Sequence, residues 1–212
     1  MMIDKNTMIF GSFAKQAGNN GCKMFNPAFE YYGLNAIYKS FSVDDIGKAI
    51  EAARTLNFRG FAITMPFKIE VLKHVDELSD EAFNIGAANT ILNYDGKLTA
   101  YNTDYLAALS FLEICELKPL YILGDGGYAA AVKHASETLG FKYTVITRKC
   151  WDEIIRIRES IIFNCTPVTN IQYHHSNNFI DCIITTPTGQ ELSRVQASHQ
   201  FKLYTGLDFP SI

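Results

Sequence analysis

Residues 120–147 constrain the fold more than any other stretch. A short apolar run, Leu120-Tyr121-Ile122-Leu123, passes straight into Gly124-Asp125-Gly126-Gly127. Small and apolar residues then recur at helical spacing over 128–139, Gly140 marks the stop, and 143–147 (YTVIT) reads as a strand. Strand, glycine turn, helix and strand in one short span form a βαβ unit. The same grammar continues. Residues 151–157 read as a helix, 160–164 and 180–185 as strands, 190–198 as a short helix and 201–204 as a last strand. Alternating strands and helices predict an α/β fold with a largely parallel sheet.

The first half alternates too. Residues 8–13 (MIFGSF) predict a strand and 15–22 a polar loop. Asn26 and Pro27 predict a cap and first position for a helix over 28–32. A strand follows over 36–41, then a helix over 45–56 capped by Ser42 or Asp44, then a strand over 58–64 broken by Met65-Pro66. Residues 70–78 and 80–85 read as short helices. Asp95-Gly96 between two short apolar runs predicts a hairpin. Residues 104–113 read as a helix. The domain boundary is expected near 106–119, giving 1–105 and 106–212.

Composition excludes several classes. Hydrophobic residues make 48% and charged residues 19% of the 212, which suits a folded globular chain. A net charge of −3 offers no basic field for nucleic acid. The N-terminus is a poor signal peptide, and no run of about 18 apolar residues spans a membrane. The five scattered cysteines lack zinc spacing, so no metal is expected, and they read as free thiols of a cytoplasmic protein.

Two groups of residues carry chemistry. Glycines between a strand and a helix let the backbone approach a pyrophosphate at the helix N-terminus. Gly124, Gly126, Gly127 and Tyr128 fit that role, with Ala129 at the third-glycine position. The next strand ends in Thr147-Arg148-Lys149, two cations and no acid, which favours the 2′-phosphate of NADP over NAD. The second group lies between Gly60 and Asp104. Lys68 follows a proline turn and Asp104 closes Asn102-Thr103-Asp104. Together they suit proton handling during alcohol oxidation, with Thr64 and Asn89 as hydroxyl partners. The other reading of these residues is a surface lysine and a helix cap.

These motifs resemble the shikimate dehydrogenase family. The likeness rests on TMPFK (64–68), IGAANTI (85–91), YNTD (101–104), Asn26 to Phe29 with Gly33-Leu34, ILGDGGYAAAV (122–132), Thr147-Arg148 and Asn164-Cys165-Thr166-Pro167. The resemblance implies an N-terminal α/β substrate domain and a shortened C-terminal Rossmann domain binding NADP. It also implies reversible reduction of 3-dehydroshikimate, or a quinate-type analogue, to shikimate in aromatic amino acid biosynthesis. By motif, Lys68 is the catalytic lysine with Asp104 beside it, and Thr64 and Asn89 contact substrate. Residues 124–129, Arg148, Thr166 and Gly206 fall to the cofactor, and Asp80 stands where relatives can touch it.

The chain departs from the family pattern in several places. The serine pair that holds the substrate carboxylate aligns with Asn19 and Gly21, leaving Asn19 as a possible donor. The usual His is Phe25, an Asn is Ala62, and a Gly is Ala107. A final helix and its substrate-contacting glutamine are expected to be missing. A monomer or homodimer acting on a small hydroxy acid is the leading expectation. The alternative is a degenerate member that binds nucleotide or a partner without catalysis.

Overall fold

The computed structural model describes residues 3–211. It divides into two compact units, Met1–Thr103 with Ala197–Ile212, and Asp104–Gln196. The expected division gave all of 106–212 to the second domain, whereas the C-terminal residues pack with the first.

In the first unit, β1 (Met8–Ala14) lies between the parallel strands β2 (Ala36–Ser42) and β3 (Gly60–Ile63). Two further strands, β5 (Thr90–Tyr94) and β6 (Lys97–Tyr101), pair antiparallel, and β4 (Glu77–Leu78) adds at the far edge. The order is β2-β1-β3-β5-β6-β4. Asp95 (φ 50°) and Gly96 (φ 88°) make the β5–β6 hairpin turn, the left-handed pair that two-residue hairpins require. One face of the sheet packs a cluster including Phe13, Phe61, Ile63 and Ile91 against α2 (Ile46–Thr55). Asp45 caps α2, accepting from Lys48 N at 3.0 Å, one residue past the expected Asp44.

The other face holds an aromatic cluster of Phe10, Phe25, Phe29, Tyr38 and Phe201. Here the structure corrects two expectations. Helix α1 runs Asn20–Tyr31, starting inside the stretch read as a polar loop and carrying Pro27 within it. Asn26 is therefore not a cap. Its carboxamide clamps the β2 edge instead, donating to Tyr38 O (3.0 Å) and accepting from Tyr38 N (2.7 Å). This satisfies edge groups that would otherwise stay open. The second correction is at the C-terminus. The short helix and last strand are one helix, α6 (Pro187–Thr205). Leu192, Ala197 and Phe201 are buried at near-helical spacing, and Gly206 (φ 74°) ends the helix in the left-handed conformation.

Between these, a 3-10 turn (Glu70–His74) and α3 (Asp80–Ile85) complete the first unit. Ser79 caps α3 at 3.2 Å and Gly86 (φ 69°) ends it. The second unit begins with α4 (Thr103–Glu113) from Asp104 onward. It holds a fully parallel sheet of β7 (Leu120–Leu123), β8 (Tyr143–Ile146), β9 (Ile161–Asn164) and β10 (Asn178–Asp181), in the order β10-β9-β7-β8. Helix α5 (Gly127–Thr138) crosses from β7 to β8 as the βαβ reading requires. Among the described residues, no helix is long and apolar enough to cross a membrane.

Burial pushes the phenols of Tyr38 and Tyr204 above their ordinary range. The folded chain thus holds these protons more tightly than the unfolded chain does. Their contribution is whole below about pH 10 and is lost as pH rises above it. We expect the denaturation midpoint to fall as pH rises above about 10, the value of a free phenol, and Tyr38→Phe to flatten that fall. The Tyr204 hydroxyl is buried and makes no hydrogen bond among the described residues. Tyr204→Phe should therefore raise stability, by up to about 1 kcal/mol, since it removes an unpaired polar group. A lowered denaturant midpoint would contradict this.

Candidate active site

The residues expected to handle protons are tied together by backbone. Thr64 follows β3, its N–H donating to Phe13 O (3.0 Å) and its carbonyl accepting from Phe67 N (2.9 Å). The cis Met65–Pro66 bond lies in this turn, and Lys68 comes next, half-buried. The Lys68 carbonyl accepts from Ala88 N at 2.8 Å. Ala88 precedes Asn89, which is fully buried. Asn89 Oδ1 accepts from Thr103 N (2.8 Å) and Thr90 Oγ1 (2.9 Å), and its Nδ2 donates to Thr103 Oγ1 (3.0 Å). Asn102 is held by Ala87 O at 2.8 Å. One peptide bond beyond Thr103 is Asp104, fully buried in the first turn of α4. A short bonded path thus runs from Lys68 through Ala88, Asn89 and Thr103 to Asp104. The carboxamide of Asn89, expected to meet substrate, is engaged inside this network.

A residue that sequence reasoning missed is Gln200. It lies on α6, where a short helix and a last strand were expected, and is 3% exposed. Its Nε2 donates to Thr90 Oγ1 (2.8 Å) and Asn89 O (3.3 Å). The signal was present: Gln200 stands beside Phe201 on a stretch free of helix breakers from Gln190 to Thr205.

Asn19 is exposed and precedes α1 without a side-chain cap bond. It borders a cavity of about 460 Å³ with Cys22, Lys39, Ser40, Phe41 and Ser42. Gly21, where the family resemblance implies a serine, stands close against an aromatic ring. A Cβ there would stand 2.5 Å from the Tyr38 ring and 3.0 Å from its hydroxyl oxygen. Tyr38 is held in place by Phe25, which stacks on it at 4.6 Å. Below them Ser12 and Ser40 share a 3.0 Å hydrogen bond.

In the second unit, Gly124 has φ 100°, and a Cβ there would meet Thr166 Cγ2 at 2.7 Å. Only glycine fits both demands. Thr166 is set by Asn164, which accepts from its Oγ1 at 2.7 Å. Gly126 precedes α5 with open space where a Cβ would be. Ala129 is fully buried against the sheet. Thr147, Arg148 and Lys149 are exposed beyond β8. Tyr128 lies near Asp104: burial and, second, that carboxylate hold its phenol well above the ordinary range. Asp104 and the glycine turn therefore belong to one unit. Gly206, expected with the cofactor residues, lies apart in the first unit, closing α6 through Gly206 N to Lys202 O at 2.8 Å. Open glycine backbone at a helix N-terminus, with cations past the next strand, fits a dinucleotide phosphate chain.

Comparison with known proteins decides the family. Residues 20–91 match the model of the shikimate dehydrogenase substrate binding domain. A shikimate dehydrogenase-like protein of Haemophilus influenzae is 39% identical over 144 residues, 66% of this chain and 53% of that protein. The solved structure of a shikimate 5-dehydrogenase-like protein superposes with a TM-score of 0.83 at 28% identity, covering 99% of this chain and 95% of that one.

The chain belongs to the shikimate dehydrogenase family.

A further relative, the shikimate dehydrogenase (NADP(+)) of Alkaliphilus oremlandii, is 39% identical over 163 residues, 74% of this chain and 56% of that protein. The chain thus aligns with about half the length of these two curated relatives. Within the family, Gln200 gives a direct test of the buried network. Gln200→Leu should cost about 1–3 kcal/mol in chemical denaturation, because the Thr90 hydroxyl and Asn89 carbonyl lose a buried donor. An unchanged midpoint would show that the network does not need the helix. Gly21→Ser should destabilise by about 1–3 kcal/mol through overpacking against Tyr38, and Tyr38→Ala in the same background should lessen the added cost.

Proposed function

We propose that the protein is an NADP-dependent oxidoreductase that interconverts a hydroxyl and a ketone on a shikimate-like hydroxy acid. The observation that supports this most is the path joining Lys68, Asn89 and Asp104. It holds the lysine turn and the start of α4 in register through buried bonds, as an acid–base pair needs. In the reduction, Lys68 Nζ gives its proton to the oxygen that was the carbonyl. In the reverse reaction it takes that proton back from the hydroxyl. The Thr64 hydroxyl orients a neighbouring substrate hydroxyl. Asn89 acts by fixing Thr103, and through it the position of Asp104. NADPH, when bound, supplies the hydride. Gly124, Gly126 and Gly127 receive its diphosphate, Thr166 borders the turn, and Arg148 meets the 2′-phosphate. The relative from Alkaliphilus oremlandii carries NADP(+) in its name, which agrees with the cations after β8.

A cytoplasmic enzyme is the setting we infer, as all five cysteines are free thiols. A changed substrate is favoured by one observation. The Tyr38 ring fills the space a serine at position 21 would use, so the acid-binding end differs from the family pattern.

Lys68→Ala should lower kcat by about 10²–10⁴-fold, the usual contribution of a positioned acid–base group, with NADPH affinity unchanged. The readout is absorbance of reduced nicotinamide with shikimate and quinate as substrates. Undiminished turnover in the variant would refute the assignment. A wild-type protein that binds NADPH yet turns over neither acid would point to a binding role or another substrate.

A further inference from the structure

The glycine turn carries a carboxylate of its own. Asp125 stands between Gly124 and Gly126, two residues ahead of the start of α5, and is exposed. A helix N-terminus attracts anions through its aligned peptide dipoles. A fixed acid at that mouth already occupies the favourable field and repels a second anion. One like charge within about 6 Å weakens anion binding by roughly three- to tenfold where water screens part of the field.

Lys133 offsets this acid. It lies about two turns further along α5, a helix whose side chains lean back toward the N-terminus. Its ammonium makes an ion pair with Asp125 Oδ1. The two side chains are 26% and 61% exposed, so the lysine end is the better shielded. Nothing in the dinucleotide pattern calls for a lysine at this place, and no other cation is bonded to Asp125 in the structure's described residues.

We propose that Lys133 is the charge-compensating residue that makes this turn receptive to a dinucleotide diphosphate, with Asp125 setting how tightly it binds. The inference rests on the NADP reading above. Free of ligand, the ammonium cancels the Asp125 charge. As a diphosphate enters, the same ammonium is shared between the carboxylate and the phosphate oxygens. Affinity then depends on the two residues jointly.

The test is a double-mutant cycle on the full chain, read by calorimetry of NADPH binding at low ionic strength, where surface charge is least screened. Lys133→Met should weaken binding about tenfold, as it leaves the acid uncompensated. Asp125→Asn should tighten binding about three- to tenfold, as it removes the repulsion and releases the lysine. The double variant should return to within about threefold of wild type, because the loss of the cation and the loss of the acid offset each other. Melting temperatures should stay nearly equal, because an exposed pair adds little stability. A double variant as weak as Lys133→Met would overturn the inference, since the lysine would then act on phosphate without Asp125. Identical affinity in all four proteins would overturn it too. Wild-type protein that binds neither NADPH nor NADH would instead sink the dehydrogenase reading, and the inference with it.

Discussion

Asn89 is the joint on which the first unit depends. Its backbone N–H donates to Tyr101 O (3.1 Å) and its carbonyl accepts from Ile63 N (2.8 Å), which sews β3 to the end of β6. Its side chain accepts from Thr103 N and so holds the entry to α4. Gln200 reaches the same carbonyl from α6. One buried residue therefore meets two strands and two helices. Each bond contributes only about 1 kcal/mol net, but in a dry site an unmade partner costs more than a made bond gains. The network is therefore satisfied as a whole or not at all. That is why the lysine turn, bonded one residue away at Ala88, has a defined position despite its half-exposed lysine.

Much of this was legible because it depends on local chemistry. Asp95-Gly96 announces its hairpin since few other pairs accept two left-handed residues in succession. The run from Leu120 into Gly124 announces a crossover since helix and strand periods switch at a glycine. The failures share a cause as well. Asn26-Pro27 has the local signature of a helix start, yet α1 begins at Asn20 because the Asn26 side chain is more valuable against the open edge of β2. Residues 201–204, Phe-Lys-Leu-Tyr, alternate like a strand, but the helix continues through them. Tertiary packing decides: Phe201 meets Phe29 at 5.7 Å and Tyr204 meets Phe10 at 5.2 Å, contacts invisible in a single sequence. Gln200 stayed unread for the same reason, as its partners are more than a hundred residues away in sequence.

The departures from the family pattern form one coherent change. Phe25, in place of a histidine, stacks on Tyr38, and Tyr38 in turn occupies the space above Gly21. Restoring a serine alone at position 21 would collide with that ring. Gly21 and the aromatic pair are thus two sides of one packing solution. Hydroxyl groups remain in the region: Ser40 borders the cavity together with Asn19 and Lys39, and it shares a hydrogen bond with Ser12.

The aromatic packing at Gly21 leaves the turn at Lys68 untouched, for a physical reason. Lys68, Asn89 and Thr103 are held by backbone bonds and a carboxamide that do not involve Gly21, Phe25 or Tyr38. In the second unit, the Asp104 carboxylate is felt by Tyr128 in the first turn of α5, so the acid and the glycine turn share one electrostatic environment. Tyr128 stays protonated through the physiological range and presents a neutral hydroxyl there, not a second charge. Repulsion at Asp104 is thereby avoided while the ring fills space beside Phe163 at 6.3 Å. The aromatic packing around Gly21 and the bonds around Asn89 thus rest on separate sets of contacts, so the first can be rebuilt without disturbing the second.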